Sequence, residues 1–357
     1  MRAFGFLSFG HYGGNPAQGG ITAHQMLHDA IDISVGADEL GVNGAYFRVH
    51  HYARQSAAPM PLLSAVAART QRIEVGTGVI DMRYENPLYL AEEAAALDLI
   101  ADGRVALGIS RGAPEAADRG WESFGYTGST DPRGADIAAA KFETFLQAIQ
   151  GHPMTRAAAQ PYMSDAAPHA PLAIEPQSEE LIRHIWWGSG SRATAERTGA
   201  QGLNMMSSTL LTEANGSAFG DLQAEQIDVF REAFREAGHR HVPRVSVSRS
   251  VFPILSGRDR VLFGAGGSGG GGDQIGIIDG TRSTFGRTYV GEPDRLIEEL
   301  KADAAVMSAD TLLLTIPSQA GVDLNLEILQ NFAAHVAPAL GWKPNTEGPV
   351  VGDPVTA

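Results

Sequence analysis

Between Ile73 and Gly112 the chain reads as two consecutive strand–helix units, and this repeat limits the possible folds more than any other feature. Ile73-Glu-Val-Gly-Thr-Gly-Val-Ile80 is a β-branched run broken by two glycines. Asn86-Pro87 then opens an Ala/Leu/Glu helix to about Asp102, and Arg104-Val-Ala-Leu-Gly-Ile-Ser-Arg-Gly112 is a second strand. That strand ends in Ser110-Arg111-Gly112, which sets a fixed positive charge beside an exposed backbone turn. At the strand ends of an α/β barrel such a pairing suits an anionic ligand.

The same alternation extends in both directions. Ala3–Phe9 reads as a first strand, and Thr22 as the N-cap of a helix to Leu40, stopped by Gly41. Gly44–Val49 is a second strand ending in His50-His51, followed by a helix over Pro59–Gln71. Lys141–Gln150 is a short helix. Ile185-Trp-Trp187 is a fifth strand running into Gly188-Ser-Gly-Ser191 and a helix, with Leu203-Asn-Met-Met206 beyond it. Leu222–Ala237 is helical and Arg244–Ile254 is a sixth strand. Arg287–Val290, Glu292–Met307, Thr311–Thr315 and Leu324–Ala337 finish as strand, helix, strand, helix. Runs such as Thr311-Leu-Leu-Leu-Thr315 are apolar throughout, as in strands buried on both faces. Eight strands alternating with helices favour a TIM (β/α)8 barrel; a shifted strand count would leave room for a doubly wound sheet. The organisation expected is one barrel domain over 1–341, with an insertion near 151–183 and a Gly-rich mobile loop near 264–286. A Pro/Gly-rich tail covers 342–357.

Composition narrows the chemistry. A net charge of −14 argues against a nucleic-acid or anionic-membrane binder, so an anionic ligand needs locally placed arginines. The absence of cysteine excludes disulfides, zinc–thiolate sites and thiol nucleophiles. No apolar run approaches the roughly 20 residues of a membrane span, and the apolar start Met1–Phe9 is too short for a signal segment. The expectation is a soluble, cytoplasmic protein.

Four strand ends carry candidate chemistry. The second offers His50-His51 as base, hydrogen-bond donor or metal ligand, although no acid stands at ligand spacing nearby. The third offers Thr77-Gly78 and, past a loop, Asn86. The fourth offers Ser110 and Arg111, the latter a countercharge to an anion or equally a structural salt bridge. The fifth offers Gly190, Ser191 and Thr194 at a helix start, where backbone amides, hydroxyls and the helix dipole suit a phosphate, or where an ordinary N-cap sits. His24 and His28 lie one helical turn apart without a third ligand. The glycine tract 264–272 lacks the spacing of a dinucleotide fingerprint.

Taken in order and spacing, Phe47-Arg-Val-His-His51, Gly76-Thr-Gly-Val-Ile80, Asn86-Pro87, Asp102-Gly103-Arg104, Leu107-Gly-Ile-Ser-Arg-Gly112 and Ile185-Trp-Trp-Gly-Ser-Gly-Ser191 resemble the bacterial luciferase-like flavin monooxygenase family. The resemblance implies a TIM barrel with a flavin at the strand C-termini, often as a dimer. It implies an FMN-dependent monooxygenase in which reduced FMN and oxygen oxidise a small organic substrate, with a separate NAD(P)H:flavin reductase as a candidate partner. His50 maps onto the family's catalytic histidine, Arg111 onto its phosphate-binding arginine, and Ser191 and Thr194 onto its phosphate-side hydroxyls. Ser110 maps onto a position that carries a reactive thiol in some members, and Val49 replaces the glutamate usual before the His pair. His51 is expected to face away from His50 and serve packing. Phe9, His11, Tyr84 and Trp186 are the expected substrate wall, and a cis peptide is implied at Gly78–Val79. A deazaflavin-dependent hydride-transfer enzyme and a non-catalytic flavin-binding relative are the alternatives. A homodimer through helices 59–71 and 86–102, and a mobile lid over 264–286, complete the expectation.

Overall fold

The computed structural model describes residues 1–15, 19–112, 115–163, 165–213, 215–267, 272–278 and 281–349. Eight parallel strands close into a ring: β1 (Ala3–Ser8), β2 (Gly44–Phe47), β3 (Glu74–Thr77), β4 (Val105–Ser110), β5 (Ile185–Ser189), β6 (Asn204–Ser207), β7 (Val245–Pro253) and β8 (Thr311–Ile316). Each pairs in parallel with its neighbour in sequence, and β8 pairs back onto β1 with Ala3 opposite Thr311. This is a TIM barrel. Helices α1 (Ala23–Glu39), α2 (Pro59–Arg69), α3 (Pro87–Ile100), α4 (Ala135–Ile149), α5 (Arg192–Ala200) and α6 (Phe219–Glu236) follow β1 to β6 in turn. Helix Gly321–His335 follows β8.

Side-chain alternation divides each strand between two cores. Phe4, Phe6, Phe47, Val75, Leu107, Met205, Leu312 and Leu314 point outward and pack under the helices. Leu7, Tyr46, Ala106, Trp186, Met206 and Leu313 point inward and fill the barrel. The floor carries a buried polar network. Glu74 accepts from Tyr46 Oη at 2.7 Å and from Arg244 Nη1 at 2.6 Å, and the Arg244 guanidinium lies 4.8 Å from the Trp186 ring. Gly44 and Gly76 give the Tyr46 ring its room, since a Cβ at either would collide with it.

Three sequence expectations are corrected here. Leu203–Met206 supplies the sixth barrel strand and 245–253 the seventh. Thr288–Gly291 lies off the ring, paired with β7. The short helix expected over Lys141–Gln150 begins earlier, at Ala135, after Gly134 in the left-handed region. Within 264–286, helix Gly257–Gly267 and strands Gln274–Ile278 and Thr281–Phe285 take up the flanks of the glycine tract. The two strands form a hairpin, and Leu210–Leu211 pairs with its second strand. The centre of the tract, 268–271, lies outside the described residues, as do 350–357 of the tail. Between α4 and β5 a two-stranded antiparallel ribbon pairs Thr155–Arg156 with Pro171–Leu172. The Gly78–Val79 peptide is cis. Among the described residues, no helix is long and apolar enough to cross a membrane.

Candidate functional site

The inward positions change character along the barrel axis. Tyr46 and Trp186 fill the lower layer, whereas Ser110, Gly188, Ser246 and Ser248 line the open space above, beside Met206. Small side chains at the C-terminal strand ends leave a cavity of about 770 Å³, within the range of small-molecule and cofactor sites. Its wall includes Phe9, His50, Gly78, Ser110, Arg111, Gly190, Ser191 and Thr194, all singled out in the sequence. Ser283, fully buried on the hairpin, joins that wall.

On the β4–β5 side the cavity is cationic. Arg111 stands beside Arg133 and Arg197, and loss of hydration together with these two charges pulls its guanidinium below the ordinary value. A site that crowds positive charges in this way is relieved by an anion. Helix α5 begins at the same place. Ser191 Oγ caps it by accepting from Thr194 N at 3.4 Å and lies 3.0 Å from Thr194 Oγ1. The Arg192 amide is already taken by the Glu213 carboxylate at 3.0 Å, so the hydroxyls and arginines, more than free amides, are what this end presents. Ser110 Oγ accepts from Gly112 N at 3.0 Å and shapes the turn that carries Arg111.

The β2 side is aromatic and basic. Burial, reinforced by Arg48, lowers the His50 imidazole to about 4, leaving it neutral at physiological pH. His51 is held below its usual value too, chiefly by burial. Contrary to the expectation that it faces away, His51 also borders the cavity, because the chain leaves strand geometry after Phe47 and strict alternation lapses. Its ring stacks on Tyr84 at 4.1 Å, and its Nε2 is buried without a hydrogen-bond partner. Between the two sides, Asp81 and Arg83 form a buried ion pair at 2.5 Å, extended to Glu115 at 3.3 Å.

Other sequence candidates stand elsewhere. Asn86 is an exposed N-cap whose Oδ1 accepts from Leu88 N and Tyr89 N at 3.0 and 3.1 Å. Thr77 spends its hydroxyl on Gly108 O of β4 at 2.7 Å. Trp186 is sealed in the layer below, and its outward neighbour Trp187 meets the cavity. Tyr84 lies behind His51 and donates to Glu115 at 2.6 Å. His11 backs Phe9 in a parallel stack at 5.6 Å and contacts Gln55 at 2.9 Å. Sequence reasoning missed Arg48, Arg133 and Arg197. Arg48 was readable from alternation with Tyr46, and Arg197 from its place one helical turn past Thr194. Arg133 sits in an irregular loop that carries no such signal.

A model of the luciferase-like monooxygenases matches residues 1–258. The chain is similar to the oxygenase component of a flavin-dependent trigonelline monooxygenase from Acinetobacter baylyi, at 28% identity over 176 residues, covering 45% of this chain and 47% of that protein. It spans less than half the length of the curated relatives it matches. Solved structures share the fold over nearly their whole length. The oxygenating constituent of 3,6-diketocamphane monooxygenase from Pseudomonas putida, in complex with FMN, superposes with a TM-score of 0.69 at 18% identity, covering 95% of this chain and 98% of that one. A coenzyme F420-dependent tetrahydromethanopterin reductase from Methanopyrus kandleri gives 0.58 at 14%, covering 95% and 99%.

Proposed function

The chain belongs to the luciferase-like monooxygenase family, and on that premise we propose that it is an FMN-dependent oxidoreductase, a monooxygenase acting on a small organic substrate. The observation that carries the reading is the cationic end of the cavity, where Arg111 and the Ser191 and Thr194 hydroxyls converge. This donor set fits the phosphate of FMN: a guanidinium for a dianion and two hydroxyls. The glycine and serine layer above Trp186 leaves room for the flat ring system.

Reduced FMN, when bound, supplies the electrons for oxygen activation. The chain's own contribution is to bind, orient and keep dry. Arg111, Ser191 and Thr194 hold the phosphate. Leu7, Val79 and Phe9 offer apolar wall that excludes water from the reacting end. His50, neutral near pH 7, can accept or give a proton at its imidazole nitrogens. The curated relative is an oxygenase component and the camphane protein an oxygenating constituent, which supports a separate reductase as the source of reduced flavin.

A second reading has one observation in its favour. Arg133 and Arg197 extend the cationic wall past Arg111 and would suit the longer anionic chain of a deazaflavin coenzyme. Titration with FMN and with the deazaflavin, each followed by protein and cofactor fluorescence, separates the two. Adding oxygen to the reduced FMN complex then tests the chemistry. The proposal expects FMN binding and oxygen consumption sustained by a flavin reductase and NAD(P)H. Binding of the deazaflavin alone supports the second reading, and FMN binding without oxygen use supports a non-catalytic relative.

A further inference from the structure

Arg48 is a guanidinium with an unmet charge. It stands just past β2, on the inward side shared with Tyr46 two residues earlier, and it lines the cavity. Its backbone is fixed by Arg48 N donating to Ser8 O at 2.9 Å. Its guanidinium carbon lies 4.6 Å from the centre of the Phe9 ring, and Phe9 is backed by His11. Burial lowers its proton affinity, and among the described residues no carboxylate acts to restore it. The other arginines near the middle of the site differ: Arg83 is paired with Asp81 and Glu115, and Arg119 with Glu122. A desolvated, unpaired cation is costly to keep unless a ligand brings the countercharge.

Its place in the barrel separates it from the phosphate end. β2 is three strands round the ring from β5, and the charges that act on Arg111 are Arg133, Arg197, Asp131 and Arg83. Arg48 instead acts on His50 and His11. The ligand at this pole meets one planar fork lying over an aromatic ring; the charge of Arg83 also reaches His50, but Arg83 is held by Asp81 and Glu115. A phosphate dianion asks for more than this, whereas a carboxylate matches a single guanidinium in charge and in planar, two-point geometry.

We propose that Arg48 is the anchor for a carboxylate on the substrate, so that the protein acts on small organic acids whose apolar body lies against Phe9 and is presented to His50. This rests on the flavin reading above, which assigns the other pole to the cofactor.

The test is calorimetric titration of the intact chain, with and without FMN, using benzoate and hexanoate and their neutral amides as probes. Wild type, Arg48→Met, Arg48→Lys and Arg111→Ala are compared. Wild type should prefer at least one acid over its amide by tenfold or more. Arg48→Met should erase that preference, Arg48→Lys should retain part of it, and Arg111→Ala should leave it standing. Equal binding of acids and amides by wild type overturns the proposal. So does a preference that survives Arg48→Met or disappears in Arg111→Ala. A chain that binds no FMN counts against the flavin reading, and the probe comparison without FMN still decides the role of Arg48.

Discussion

His50 enters the cavity as a neutral imidazole because charging it there would cost hydration and bring it against Arg48. His50→Ala should lower turnover by roughly 100-fold or more, the usual share of a positioned acid or base, with FMN affinity and melting temperature nearly unchanged. Equal turnover in the two proteins removes His50 from the mechanism. The same depressed value sets a pH dependence for stability. In the unfolded chain the ring takes up its proton near 6.5, whereas in the fold it does so only at about 4. Unfolding therefore binds a proton between these values, and stability falls as pH drops through that window. His51 and His241 are lowered in the same direction and add to the loss. Melting curves from pH 7 to pH 4 should show this slope, reduced in His50→Ala; a flat profile contradicts the buried neutral rings. His51, stacked on Tyr84, should on replacement by alanine lose stability more than rate.

Elements were legible where local chemistry and burial agree. Thr22 caps α1 by accepting from Gln25 N, and Asn86-Pro87 starts α3, both as their residue types dictate. The strand ends that bring Arg111, Ser191 and Thr194 together were readable because barrel chemistry gathers at C-terminal ends. Trp186 was misread because a bulky aromatic before a glycine turn looks like a pocket residue, and only strand phase shows that it points into the closed layer. The sixth strand, Asn204–Ser207, is four residues long and rich in methionine, too short for its period to count. The segment after β7 was read from its glycines alone, so the hairpin beside them went unseen. That hairpin makes a prediction. Ser283 is fully buried at the cavity wall, so Ser283→Trp should fill the space and weaken FMN binding at least tenfold while circular dichroism stays native. An unchanged affinity means that the hairpin does not bound the cofactor site.

At the scale of the whole molecule, a chain of net charge −14 gathers Arg48, Arg83, Arg111, Arg119, Arg133 and Arg197 at one cavity. Local arginines are what an overall acidic chain needs to hold an anionic ligand. A second global feature is the outer face of α3, where Tyr89 is 68% exposed, Leu99 52% and Ile100 53%. Tyr89 and Ile100 are three helical turns apart and share a face. We expect this face to pair two copies of the chain, burying above about 1,000 Å² if the dimer is stable. Light scattering should give a dimer mass at micromolar concentration, and Ile100→Glu should shift it to monomer; a monomeric wild type rules the pairing out. The central claim, a flavin held by its phosphate between Arg111 and the start of α5, is tested most directly by fluorescence titration of FMN against wild type and Arg111→Ala. The account predicts a loss of roughly 2–3 kcal/mol, the scale of a hydrogen bond to a charged group. That corresponds to a dissociation constant raised about 30- to 160-fold. An unchanged dissociation constant would contradict it.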